Sequence, residues 1–163
     1  MTSITFTVHG TPKPKGSARG FVVMKAGKAR AIVTSDNKTL KSWEAAVRFA
    51  AQDVAGQVFF AGAIALSVTF YLQRPKSVSE KKRPFMTTKP DLSKLVRGLE
   101  DALTEILWRD DAQVTAITAS KVYAADGESS RAVITVSTVD ESTVHASPST
   151  TARSRAVSAD LGF

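Results

Sequence analysis

KPDLSKLVRGLEDALTEILWRDDAQVTAITASK, residues 89–121, changes its periodicity partway along, and that change decides the fold. Leu92, Leu95, Val96, Leu99, Ala102, Leu103 and Ile106 recur at intervals of three and four, which predicts an amphipathic helix. Beyond Trp108-Arg109-Asp110-Asp111 the pattern turns strand-like from Val114 to Tyr123. The same stretch holds Asp91, Glu100, Asp101, Glu105, Asp110 and Asp111, in a chain whose net charge is +7. Carboxylates gathered inside a basic protein point towards metal-assisted chemistry on a phosphate polymer.

On the N-terminal side, Ile4, Phe6 and Val8 alternate with Thr5 and Thr7, predicting a half-buried strand. HGTPKPKGSARG, residues 9–20, reads as a loop from its Pro and Gly content and carries Lys13, Lys15 and Arg19. Phe21 to Val33 predicts two short strands around Lys25-Ala26-Gly27-Lys28. Thr34-Ser35-Asp36-Asn37 then offers N-cap candidates for a helix whose apolar face is Leu40, Trp43, Val47, Ala50 and Val54. Trp43 is read as a core residue. Ala63 to Leu72 predicts a strand, and Gln73 to Lys89 a long loop with Pro75 and Pro84 and the cations Arg74, Lys76, Lys81, Lys82, Arg83 and Lys89. On the C-terminal side, Val114 to Tyr123 and Ala132 to Val139 read as a hairpin joined through Ala125-Asp126-Gly127-Glu128. The expected fold is therefore α+β: a single small domain, residues 1–139, with a mixed or antiparallel sheet and two main helices. Residues 140–163 have almost no large apolar side chain and read as a disordered tail.

Composition narrows the functional classes. A length of 163 residues with 43% hydrophobic content supports one domain with a core. With no cysteine there are no disulfides and no thiolate metal sites, and two histidines do not make a zinc cluster. The most apolar run, Val58 to Leu72, is interrupted by Gly62, Ser67 and Thr69 and falls short of the roughly 20 residues that span a bilayer. No signal peptide is recognisable at Thr2 to Val8, so a soluble, cytoplasmic protein without membrane partners is expected. Residues 1–90 carry 15 Lys+Arg against 4 Asp+Glu, whereas residues 91–139 carry 5 against 8. A basic half beside an acidic patch suits a polyanion gripped by one part while cations are placed on it by the other.

Asp91 stands at the head of the second helix and the Asp110-Asp111 pair beyond its end. Magnesium needs only one or two carboxylates when phosphate oxygens complete its shell, so this sparse set suffices for a metal site. Asp91 is equally readable as the N-cap of the helix, and Asp110-Asp111 as a solvated turn. On a straight helix reaching Ile106, Asp91 and Asp111 lie roughly 25–30 Å apart. They meet only if the following strand runs back along the helix, or if a second subunit supplies one of them.

Taken together, these motifs resemble the RusA family of Holliday junction resolvases, small endodeoxyribonucleases of bacteria and prophages. The family pattern Pro-Asp-x-Asp-Asn-Leu-x-Lys, Asp-Ala-Leu, Trp-x-Asp-Asp-x-Gln-Val is matched by Pro90-Asp91-Leu92-Ser93-Lys94-Leu95-Val96-Arg97, by Asp101-Ala102-Leu103 and by Trp108-Arg109-Asp110-Asp111-Ala112-Gln113-Val114. His9-Gly10-Thr11-Pro12-Lys13-Pro14-Lys15-Gly16 is similar to the family's N-terminal signature, and the likeness covers residues 1–139 in order. It implies metal-binding Asp91 and Asp111 with Asp110 beside them, Mg²⁺ as cofactor with Mn²⁺ as a substitute, a four-way DNA junction as substrate, a homodimer, and a bacterial or phage-infected cell as the setting. Asp101 matches a recurrent family acid and is read as structural, one turn from Arg97 and able to pair with it.

Two positions depart from the pattern. Ser93 stands for the family's second Asp, which removes a charge, and Arg97 stands for its Lys. Arg97 keeps the charge and clamps phosphate with two hydrogen bonds, but it is no proton donor near neutral pH. Asp91, Asp111 and Arg97 are accordingly expected to carry catalysis. Lys13, Lys15, Arg19, Arg74, Lys76, Lys81, Lys82, Arg83, Lys89 and Lys94 are expected to contact DNA. The alternative expectation is a catalytically weakened or inactive protein of the same fold that binds junctions without cutting them.

Overall fold

The computed structural model describes residues 2–16, 19–25, 28–34, 38–56 and 58–139, with the backbone alone for 19–25, 28–34 and 38. The N-cap candidates Ser35, Asp36 and Asn37, the side chain of Arg19 and the tail from 140 onward lie outside the described residues. In chain order the elements are β1 (Ser3–His9), β2 (Arg19–Lys25), β3 (Lys28–Thr34), α1 (Lys38–Ala55), β4 (Ile64–Leu72), α2 (Leu92–Leu103), β5 (Val114–Tyr123) and β6 (Arg131–Thr138). The result is one small α+β domain, with β2 and β3 forming a separate antiparallel pair.

The main sheet has the order β1-β6-β4-β5. Its two central strands have the strongest alternation. Ile64, Leu66, Val68, Phe70 and Leu72 of β4 and Ala132, Ile134 and Val136 of β6 are buried on one face. Leu40, Trp43, Val47 and Ala51 of α1 and Leu95, Leu99, Ala102 and Leu103 of α2 join them in a single core. The opposite face is polar, where Thr5 and Thr135 hydroxyls meet across strands at 2.9 Å. One covered face and one wet face is the usual arrangement of a largely antiparallel sheet.

β5 and β6 do not form the expected hairpin. β4 lies between them, antiparallel to β6 and parallel to β5. The strand with the most continuous apolar face takes the centre, where both its edges are paired. Alanine, serine and threonine predominate in β5, which is left at the border. Across 124–130 the chain has enough length to step over one strand.

α2 is shorter than its apolar stripe suggested. The helix ends at Leu103, Thr104 is its C-cap, and Glu105 has φ 68°. Its amide donates to the Trp108 carbonyl at 2.7 Å, closing a turn that carries Ile106 off the helix axis. Trp108 is fully buried beneath that turn. From there β5 runs back along α2, but what it returns to the start of the helix is Lys121, while Asp111 stays at the far end beside Thr104.

Candidate active site

α2 carries the motif residues on its solvent side, between two ends of different character. At its start, Asp91 is the N-cap with extended backbone, φ −70° and ψ 132°, yet its carboxylate makes no capping hydrogen bond. Lys94 Nζ lies 3.4 Å from it, and both side chains are about half exposed. An Asp at a helix start normally accepts from the second or third amide. Here the carboxylate is left available. Lys121 of β5 donates to the Thr88 and Pro90 carbonyls at 2.7 Å each, which fastens the residues leading into Asp91 against the end of β5.

Ser93 and Arg97 follow, one turn apart and exposed. Arg97 has no ion-pair or hydrogen-bond partner among the described residues. Asp101 pairs with Lys15 rather than with Arg97. The reason is the course of the N-terminal loop, whose Lys15 amide donates to the Lys94 carbonyl at 3.0 Å and which passes against Gly98. Lys15, expected to face DNA, is thus partly neutralised by Asp101.

At the far end, Trp108 Nε1 donates to Asp111 Oδ1 at 3.4 Å, and the Thr104 hydroxyl faces both that oxygen and the Glu100 carbonyl. Glu100 is half-buried beside Asp111. Burial, then the Asp111 charge, then that of Asp101, raise its carboxyl above the usual carboxylate range. Glu100 was absent from the expected site. Its signal is visible only after folding, because the turn at 104–108 brings Asp111 back beside it.

Asp110 has a local task. It caps a 3₁₀ turn at Asp111–Gln113, accepting from the Ala112 amide at 2.8 Å. Gln113 completes the capping box by accepting from the Arg109 and Asp110 amides, and its Nε2 donates to the Phe60 and Gly62 carbonyls. The Trp-x-Asp-Asp-x-Gln motif is therefore largely a device that holds Asp111 at the helix end.

The structure does not bring Asp91 and Asp111 together within one copy. Asp111 is anchored to Thr104, and thirteen residues of helix rise separate Thr104 from Asp91, roughly 20 Å. Among the described residues no group of three or more acidic or histidine side chains is arranged to hold a metal ion. The donor chemistry nevertheless fits a hard cation at either end. Magnesium accepts one or two carboxylates plus water and phosphate oxygens, and an unrelieved Glu100–Asp111 repulsion is what a cation would remove.

The basic residues surround this face unequally. Lys76, Lys81, Lys82 and Lys89 of the 73–91 loop are exposed, whereas Lys13 and Arg83 are half-buried. Arg74 stacks on Tyr123 with its guanidinium 4.0 Å from the ring centre and donates to the Arg83 carbonyl at 2.5 Å. Its work is to brace the loop. Phe85 in that loop is 78% exposed. No helix among the described residues is long and apolar enough to cross a membrane.

Exposed carboxylates at the two ends of α2, with an exposed lysine-bearing loop leading into its start, are the features this small α+β domain presents to solvent. Residues 11–137 match the family described as endodeoxyribonuclease RusA, and the chain belongs to that family of DNA-cutting enzymes. It is similar to the uncharacterized protein YqaN of Bacillus subtilis (strain 168), 33% identical over 137 residues, which cover 77% of this chain and 92% of the relative. Among solved structures, 2C-methyl-D-erythritol 2,4-cyclodiphosphate synthase from Plasmodium vivax aligns over 83% of this chain and 95% of its own, at 9% identity and a TM-score of 0.27. A likeness of that size carries no argument.

Proposed function

We propose that the chain is a magnesium-dependent endonuclease, with manganese as a substitute, that resolves four-way DNA junctions by paired hydrolysis as a homodimer in a bacterial or phage-infected cell. The nuclease would occupy residues 1–139, with 140–163 as an appended tail. The observation that carries the reading is the Asp91 carboxylate, which heads α2 at the family's motif position and makes no capping bond, leaving it available for other ligands.

Asp91 and Asp111 would hold the cation, with Asp110 and Glu100 beside Asp111. When bound, the cation would polarise the scissile phosphate, activate water and stabilise the leaving 3′ oxygen. Arg97, exposed and without a partner among the described residues, would clamp two phosphate oxygens, and Lys94 would add positive charge near Asp91. Ser93 supplies a neutral hydroxyl where the family pattern has an acid. Lys76, Lys81, Lys82 and Lys89 would follow the backbone of a DNA arm, and exposed Phe85 offers a surface on which an unpaired base can stack. Lys13, Lys15, Arg19, Arg74 and Arg83 complete the basic surround.

The test is incubation of the purified protein with a labelled four-way junction across a Mg²⁺ and Mn²⁺ series. Paired nicks that vanish in Asp91→Asn and Asp111→Asn, while the band shift persists, are expected. Retarded but uncut junctions in every metal would replace this reading with that of a binding protein of the same fold.

A further inference from the structure

β5 is a border strand of ten residues whose outer edge pairs with nothing among the described residues. Four consecutive positions, Thr115, Ala116, Ile117 and Thr118, are exposed, so side chains on both faces of the sheet are open there. Ile117 is 46% exposed. Natural border strands are usually blunted by charge, proline or a covering segment. From Val114 to Ser120 this one has no charged residue, no proline and no glycine. Its single irregularity, where the register with β4 shifts between Ile64 and Ala65, is confined to its beginning.

The ends of the strand carry opposite charges. Asp110 and Asp111 precede it, and Lys121 lies near its finish, donating only to neutral carbonyls. Two copies laid antiparallel along this edge would set each acidic start against the other's lysine. A parallel arrangement would oppose like charges. The antiparallel one also closes about a twofold axis, which leaves no free β5 edge for a third copy.

We propose that β5 pairs antiparallel with β5 of a second copy and that each active site is composite, joining Asp91 of one copy to Asp111 of the other. With the twofold passing beside Ala116, Ala116 faces its own counterpart, Thr115 faces Ile117, Val114 faces Thr118, and Asp111, in the turn just before the strand, comes towards Lys121 across a strand spacing of about 4.8 Å. Lys121 is the residue that holds Pro90, and Asp91 follows Pro90 directly. The two aspartates that α2 keeps roughly 20 Å apart within a copy therefore converge between copies. This inference rests on the proposed role of both aspartates in catalysis.

Three measurements on the full chain test it. The native chain contains no cysteine, so Ala116→Cys protein, which sets one cysteine against its own counterpart across the twofold, should give a covalent dimer on a denaturing gel when oxidised. Ile117→Lys should halve the mass seen by sedimentation while circular dichroism and the melting transition show an intact fold. Equal amounts of Asp91→Asn and Asp111→Asn proteins, each inactive alone, should regain nicking when mixed: with random exchange half the dimers are mixed and each carries one intact site, about a quarter of the wild-type number. A monomeric wild-type chain, no cross-link, or a mixture as inactive as its components overturns the composite site. If wild-type protein fails to cut in any metal, the catalytic reading falls, while mass and cross-linking still decide whether β5 is the interface.

Discussion

Replacing Gln113 by alanine should cost about 3 kcal/mol of folding stability, a large effect for a half-buried polar side chain. Its amide makes four hydrogen bonds, accepting from the Arg109 and Asp110 amides at 2.8 and 3.0 Å and donating to the Phe60 and Gly62 carbonyls at 3.0 Å each. Arg109, Asp110 and Gly62 are exposed, so their freed groups turn to water and each loss sits near the low end, about 0.5 kcal/mol. Phe60 is 2% exposed, and a carbonyl stranded there costs about 1.5 kcal/mol. The midpoint of thermal unfolding should fall by roughly 8–12 °C. Urea denaturation read by tryptophan fluorescence is a suitable assay, because Trp108 lies under the same turn. Gln113→Glu keeps the acceptor and loses both donations while pressing a negative oxygen against two carbonyls, so it should be at least as harmful. A loss below about 0.5 kcal/mol in Gln113→Ala would show that the 3₁₀ turn holds itself, and that Asp111 owes its position to Trp108 and Thr104 alone.

Glu100→Gln should stabilise the metal-free protein by about 0.5 kcal/mol at neutral pH, a screened surface value. Folding raises the Glu100 carboxyl, so the native state binds more protons than the unfolded one and stability falls as pH rises through the window above 4.5. The gain should therefore disappear in acid, and urea titrations of both proteins across pH check it. Ser93→Asp should tighten Mn²⁺ binding, measured by calorimetry on the DNA-free protein, by about tenfold if the hydroxyl stands where an acid ligand belongs; unchanged affinity would remove Ser93 from the site. Lys81→Ala and Lys82→Ala should each weaken junction binding irrespective of sequence and lower the slope of log K against log salt by about one.

How much of this was legible in the sequence follows from the kind of signal each element carries. β1, β4 and α1 announce themselves because one face is apolar at a strict period, and burial then leaves little choice. The β5–β6 relation was misjudged because adjacency and a turn-prone Ala125-Asp126-Gly127-Glu128 favour a hairpin locally. What overrides that preference is competition for the sheet centre, won by β4 through Ile64, Leu66, Val68, Phe70 and Leu72. The end of α2 was also misplaced, since Ile106 continues the apolar stripe numerically although it packs from a turn. That misplacement concealed Glu100, whose neighbour Asp111 arrives only through the reversal at 104–108. Asp101 was expected to pair with Arg97 one turn away, but its partner came from residue 15, a contact no spacing rule within one helix can reveal.

The unequal ends of α2 bear on why this chain can lack the family's second acid. Around the start of the helix lie Lys89, Lys94, Arg97 and Lys121, with Asp91 the one acid opposing them among the described residues, and the helix dipole adds positive potential there. Around its finish lie Glu100, Glu105, Asp110 and Asp111, where the dipole is negative. An acid at position 93 would offset part of the first imbalance within the copy. Serine leaves it standing. A cation would then be held weakly by Asp91 alone and repelled by its neighbours, whereas at the far end four carboxylates outnumber Arg109. Setting the acidic finish of one copy against the basic start of another balances both ends at once and supplies each site with carboxylate and guanidinium together. On this reasoning Ser93→Asp should loosen the dimer as it tightens metal binding, because the added acid opposes the incoming Asp111, and sedimentation over a concentration series would show the two effects moving in opposite directions.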